Sequence, residues 1–313
     1  MKEIGGYFEL ETFETPPYYD KAIALNSGRN ALRYVIKAHN IKEILVPKYT
    51  CPVIFDAIES EHCKAITYSI DENLLPKLNK GQYNIQTSFI LYNNYFGICG
   101  NLVDELAEQY PNLIIDNAQA FYSPKKGLAA FYSPRKFFGL PDGGLLLTDT
   151  SLKEEFEQDV SYDKCSHLLK RHDLSATEGF KDFQHNDASL KNLPVKYMSK
   201  LTQSLMGNIN YSNIKKVRLE NFFFLHTNLA EKNELHINIA KDDVPLVYPF
   251  LVKNNDLRKK LITNKVYTAL YWPELEKYCE EGSFELYLQQ NLMALPIDQR
   301  YNLNDMKFIL SVL

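Results

Sequence analysis

The sequence is poor in the features that mark several large protein classes. Its five cysteines, Cys51, Cys63, Cys99, Cys165 and Cys279, are scattered, odd in number and never spaced C-x-x-C. A disulfide scaffold is excluded on that count, and a reduced, cytoplasmic setting is expected. No apolar run approaches the length of a bilayer span, and the opening residues hold no apolar segment of the signal-peptide kind. A soluble chain with no membrane partner is the expectation. An excess of charge of one sign is also missing: 35 Lys and Arg stand against 39 Asp and Glu, a net −4. Without a basic excess, nucleic acid is not an expected partner. There is no internal repeat, no low-complexity tract, and no Walker A loop, G-x-G-x-x-G, H-E-x-x-H or G-x-S-x-G motif. Tryptophan occurs once, yet 21 Tyr and 18 Phe raise the aromatics to 13%, which suggests a core and clefts lined with rings. What remains is ordinary globular composition, 45% hydrophobic and 24% charged. At 313 residues it allows one large or two modest domains.

The first half alternates helix and strand signals. Ser27 precedes an apolar-periodic run over 29–39, which predicts a capped helix. Short apolar runs at 43–47, 65–68, 88–92, 112–116, 128–132 and 144–148 predict strands, with helices at 53–59 and 102–110 between them. Strands separated by helices require crossovers, so a largely parallel α/β sheet covered on both faces follows. After about residue 150 the character changes. Residues 151–192 are polar and predict a helix plus a surface excursion. Residues 198–230 predict one long helix or two, and 244–252 a strand within a smaller α+β unit.

Three pieces in chain order carry chemistry. Ser27-Gly28-Arg29-Asn30 opens a helix, where unpaired amides face outward and Gly28 permits close approach of a phosphate. Asp116 ends an apolar strand, where open α/β sheets bind ligands, and Gln119 follows three residues on. Ser133-Pro134-Arg135-Lys136 precedes a Gly-rich turn, from which the lysine reaches the same crevice. A phosphate cup, a carboxylate and an amine are what pyridoxal phosphate requires. In that role Asp116 keeps the pyridine nitrogen protonated and Lys136 meets the aldehyde, then shuttles protons. Each piece alone also has an ordinary use, as a helix cap, a turn residue or a surface lysine. A patch of Cys165, His167, His172 and Asp173 lacks ligand spacing and is read as a solvated face, so no metal is expected.

Taken together, these pieces resemble the DegT/DnrJ/EryC1/StrS family of sugar aminotransferases, a fold-type I PLP-dependent group. The family's Ser-Gly-Thr-x-Ala-Leu is similar to Ser27-Gly-Arg-Asn-Ala-Leu32, and its Pro-x-x-Thr to Pro47-Lys-Tyr-Thr50. Its Glu-Asp-x-Ala-Gln resembles Ile115-Asp116-Asn-Ala-Gln119, and its Lys with Gly-Glu-Gly-Gly resembles Lys136 with Pro141-Asp-Gly-Gly144. The segment from Met198 to Asn221 is similar to the family's long helical stretch.

The resemblance implies an α/β fold with a mixed, mainly parallel seven-stranded sheet and a small C-terminal α+β domain. The expected division is 1–215 for the PLP-binding domain and 216–313 for the small one. It also implies a homodimer with active sites at the interface, and transfer of an amino group, from glutamate, to a nucleotide-linked keto-sugar. Lys136 and Asp116 are then catalytic. Ser27, Gly28, Arg29, Asn30, Cys51, Gln119 and Ser133 join them around the cofactor. Three departures stand out. Phe131 occupies the place of the family's serine five before the lysine, with Ser133 three before. Val195-Lys196-Tyr197 replaces an Asn-aromatic-Arg, and Cys51 stands where an aromatic stacks on the ring. They motivate an alternative, a catalytically altered relative acting as a regulatory or assembly subunit. Gly5-Gly6-Tyr7 and the 92–97 segment are candidates for the cleft lining or for a packed arm and a strand-end turn.

Overall fold

The computed structural model describes residues 4–13, 15–78, 81, 83–84, 86–254 and 256–313. Its main sheet is built from β1 (Ile23–Leu25), β2 (Glu43–Pro47), β3 (Lys64–Ile70), β4 (Pro76–Lys77), β5 (Phe89–Asn93), β6 (Leu113–Asp116), β7 (Ala129–Tyr132) and β8 (Gly144–Thr148). The strand order is β1-β8-β7-β6-β5-β2-β3-β4. The pairs β2/β3, β2/β5, β5/β6 and β6/β7 are parallel; β8, β1 and β4 join antiparallel. The sheet therefore has eight strands rather than the expected seven. One of them is only the two-residue edge strand β4, whose Pro76 sits where a missing amide costs nothing.

Helices α1 (Gly28–Ala38), α2 (Val53–Ser60) and α3 (Gly100–Gln109) supply the crossovers. Alternation along the central strands feeds two cores. Leu45, Ile90, Tyr92, Leu113 and Ile115 face one side with α3, while Ile44, Val46, Leu91 and Ile114 face the other with α1 and α2. Continuous apolar strands are the sequence form of a sheet buried on both faces. Ser27 caps α1 through its own Oγ, which accepts from the Asn30 amide at 3.1 Å.

The polar stretch after β8 forms two helices, α4 (Ser166–Asp173) and α5 (Ala176–Ser189), packed on each other. The next stretch is likewise two helices, α6 (Lys200–Gly207) and α7 (Tyr211–Leu229), restarted by Asn210, which accepts from the Asn213 amide. The remainder holds β9 (Val247–Leu251), α8 (Leu257–Thr263), α9 (Phe284–Asn291), β10 (Leu292–Pro296) and α10 (Leu303–Val312), with β9 and β10 antiparallel. Residues 215 and 216, the expected domain boundary, lie inside α7. One apolar cluster runs from the main sheet through α7 and β9 to Val312. The parallel strands β2, β5, β6 and β7 all point their C-terminal ends to one edge, and the candidate residues gather there.

Candidate functional site

Asp116 is the last residue of β6 and is 9% exposed. Its Oδ1 accepts from the Ala118 amide at 2.7 Å. Burial raises its carboxyl above the ordinary range, against the pull of the Lys136 ammonium and the Ala118 amide. Lys136 closes the short 3-10 turn Pro134–Lys136 that follows β7, and its side chain is exposed. The two charges also meet on Cys51, just before α2. Burial pushes that thiol up, while Lys136, the Val53 amide and Arg29 draw it down and Asp116 adds to the rise. Asp116, Lys136, Cys51 and Arg29 thus lie within electrostatic reach of one another at the strand ends, the edge where doubly wound sheets leave room for a ligand.

The start of α1 borders this edge. A Cβ built on Gly28 would meet nothing closer than the Tyr132 carbonyl at 3.5 Å and Ser133 Cβ at 3.6 Å. Packing does not demand glycine there, since these are ordinary contact distances, and the position adjoins Ser133, whose side chain makes no capping bond to its own turn. Gly144 differs: a Cβ there would lie 2.2 Å from the carbonyl carbon of Ser27. The second glycine of the Gly-rich turn is fixed by backbone contact. Asp142 in that turn is fully buried and accepts from Ser161 Oγ at 2.5 Å, Thr202 Oγ1 at 2.5 Å and Lys164 Nζ at 3.2 Å.

Other residues expected at the cofactor have mixed placements. Gln119 gives its Oε1 to the Phe96 amide at 2.7 Å, which leaves Nε2 without a protein partner among the described residues. That bond holds a tight turn in which Phe96 is left-handed, with φ 57. Asn30 is turned away: its amide donates to Asn26 Oδ1 at 2.7 Å and the Pro194 carbonyl at 2.9 Å, and its own backbone N–H is taken by Ser27. Arg29 donates to the Leu190 carbonyl at 2.5 Å, and its buried Nε has no partner among the described residues.

The departures also have places. Phe131 packs into the core on the α1 side, with its ring edge 3.9 Å from where a Gly28 Cβ would stand. Tyr197 bridges to Leu25 and Gln158, and Lys196 pairs with the exposed Glu157. The 92–97 segment is buried, while residues 5–7 are exposed. His167 is buried on α4, and no group of three metal-ligating side chains occurs among the described residues. A cavity of about 910 Å³ opens beside Lys136. Its walls include Arg171, His172, Arg218, Tyr271 and Arg300. These come from segments far apart in the chain, and no motif links them.

No family model and no curated protein sequence matches the chain. Solved structures do, each over 93% of this chain. One is a DegT DnrJ EryC1 StrS aminotransferase from Brucella abortus, with 84% of that chain covered, TM-score 0.61 and 14% identity. A second is NtdA from Bacillus subtilis with bound cofactor PMP, with 73% covered, TM-score 0.65 and 18% identity. A third is a GDP-4-keto-6-deoxymannose-3-dehydratase with bound GDP-perosamine, with 87% covered, TM-score 0.62 and 17% identity. At such identities the likeness is one of fold. The chain has the fold-type I architecture of PLP-dependent transferases. Within that class it is similar in fold to the DegT/DnrJ/EryC1/StrS aminotransferases.

Proposed function

We propose that the protein is a PLP-dependent aminotransferase that moves an amino group from glutamate to a keto-sugar, nucleotide-linked, and works as a homodimer with active sites at the interface. The observation that carries this reading is the placement of Asp116 at the end of β6 and of Lys136 in the turn after the neighbouring strand β7, close enough for the Lys136 charge to act on the Asp116 carboxyl, with Gly28 and Ser133 in contact at the start of α1. The residues present suit the cofactor. The first amides of α1 and Ser133 are fitted to its phosphate, the Asp116 carboxylate to its ring nitrogen, and the free Nε2 of Gln119 to its ring hydroxyl. Cys51 would stand beside the ring. Bound there, pyridoxal phosphate supplies an electron sink for the carbanion at the donor's α-carbon.

The chain's own groups do the rest. Lys136 would hold the cofactor in the resting protein and would then move the proton between the donor's α-carbon and the cofactor's C4′. Asp116 keeps the ring nitrogen protonated and stabilises the charge that builds on the ring. Retention of a lysine argues against dehydration of the sugar, a chemistry associated in the resembled family with loss of that residue. The cavity beside Lys136 is large enough for a sugar acceptor.

A second reading has a specific motive: Phe131 fills the family's serine position with a core side chain, which fits a non-catalytic regulatory or assembly subunit. The test separates them. Protein purified with pyridoxal phosphate is expected to be yellow, with an absorption band that borohydride removes and Lys136→Ala abolishes. A colourless protein that takes up no added cofactor rejects the enzyme in favour of the subunit.

A further inference from the structure

Arg218, on α7, is 1% exposed, and among the described residues its hydrogen bonds go to carbonyls only. Nη1 donates to Pro245 and Leu246 at 3.3 and 3.0 Å, and Nη2 to the carbonyl of Phe137 at 3.3 Å. The guanidinium also lies 4.6 Å from the centre of the Phe137 ring. Burial pushes it down to about 10, with Asp298 opposing. A buried cation without a paired carboxylate is an expensive way to fill space, since apolar side chains pack such sites at no electrostatic cost.

The Phe137 carbonyl is the first one after Lys136. It also accepts from Gln299 Nε2 at 2.9 Å. On the other side of the lysine, the turn fixes itself: the Lys136 amide donates to Ser133 at 3.1 Å and the Phe137 amide to Pro134 at 2.9 Å. The second peptide after the lysine, Phe137–Phe138, is therefore gripped from the turn, where the Phe138 amide donates to Pro134 at 3.0 Å, and through its carbonyl from two residues of the C-terminal half. Anchoring α7 does not require this grip. Asn221, one turn further on the same helix, is equally buried and ties α7 to the C-terminal segment through the carbonyls of Ile297 at 3.2 Å and Tyr301 at 3.0 Å.

We propose that Arg218, with Gln299, is a positioning residue for Lys136: the pair fixes the next carbonyl and so aims the lysine stem into the crevice it shares with Asp116. This rests on the reading of Lys136 as the reactive lysine. Because a condensation needs the amine within a narrow range of position, loosening the turn lowers its rate steeply.

The experiment compares Arg218→Met, Arg218→Lys, Gln299→Leu and Asn221→Ala. The first readout is the rate at which pyridoxal phosphate is trapped on Lys136 by borohydride, with the pH midpoint of its absorption band. The second, made on cofactor-free protein, is hydrogen exchange of residues 133–140. Arg218→Met is expected to slow trapping about tenfold or more, to move the midpoint and to speed exchange in 133–140. Arg218→Lys restores part of each, and Gln299→Leu acts more weakly in the same direction. Asn221→Ala lowers Tm yet leaves trapping and local exchange as in the wild type. If Arg218→Met behaves as Asn221→Ala does, the proposal is overturned. If the wild type takes up no cofactor, the aminotransferase reading fails, and exchange still decides. Faster exchange in 133–140 for Arg218→Met than for Asn221→Ala supports positioning, and equal exchange in these two variants overturns it.

Discussion

Asp116 and Asp142 are two buried carboxylates within one sheet edge, and they are treated in opposite ways. Asp142 has partners on both oxygens: Ser161 and Lys164 on one, Thr202 on the other. Asp116 has one amide on Oδ1 and no partner on Oδ2 among the described residues. The glycines divide likewise. Gly144 is pressed against backbone, whereas Gly28 has only ordinary contact distances around it. A group that the fold has fully paired serves the fold, and a group left over is available to a ligand.

Glycine replacement gives the largest effects. Gly144→Ala brings a Cβ to 2.2 Å from backbone that has no flexible end to move. It is expected to abolish the cooperative melt seen by circular dichroism. Gly28→Ala should melt at or slightly above the wild-type temperature, because alanine favours a helix by up to about 1 kcal/mol. It should nonetheless weaken pyridoxal phosphate in a fluorescence titration. An unchanged affinity would remove the cradle from the account.

The carboxylates come next. Asp142→Asn breaks a buried pair with Lys164 and should cost about 3 kcal/mol in urea unfolding. Asp116→Asn keeps the acceptor for Ala118 and should stay within about 1 kcal/mol of wild type. Its half-reaction with glutamate, followed by cofactor absorbance, should fall by about 10²-fold or more. Equal stability losses for the two variants would erase the distinction between them.

The smallest effect concerns a third carboxylate. Burial pushes Asp243 from 3.8 up to about 6, although its Oδ2 accepts from the Ala240 and Gly100 amides at 2.8 and 3.2 Å. Between these values the folded protein binds a proton that the unfolded chain has released. Stability is therefore expected to fall as pH rises through that window, by no more than about 3 kcal/mol. Asp243→Asn should flatten the slope in melts taken across it.

Much of the sheet was legible because strands buried on both faces are written as short apolar runs. The runs at 43–47 and 144–148 coincide with β2 and β8, and Ser27 caps α1 as its position before a periodic segment implied. The two-residue β4 was not legible, since a strand so short carries no period. The polar stretch after β8 hid two helices, because α4 and α5 bury little and so show no wide apolar stripe. Around the crevice, the chain order of Ser27, Cys51, Asp116 and Lys136 was readable from strand ends and a helix start. The diversion of Asn30 into the loop at 193–194 was not, nor were Arg218 and Gln299 behind the lysine. Hydrogen bonds of that kind join residues far apart along the chain, and neither partner bears a local mark.

The sequence by itself determined the order of strands and helices, and with it which polar residues stand at the ends of buried strands, because burial pattern and capping are local properties. Only the tertiary structure decided which of those polar residues the protein consumes and which it leaves unpaired. That outcome depends on donors and acceptors brought from distant segments, and on whether a neighbouring backbone fills the space beside a glycine.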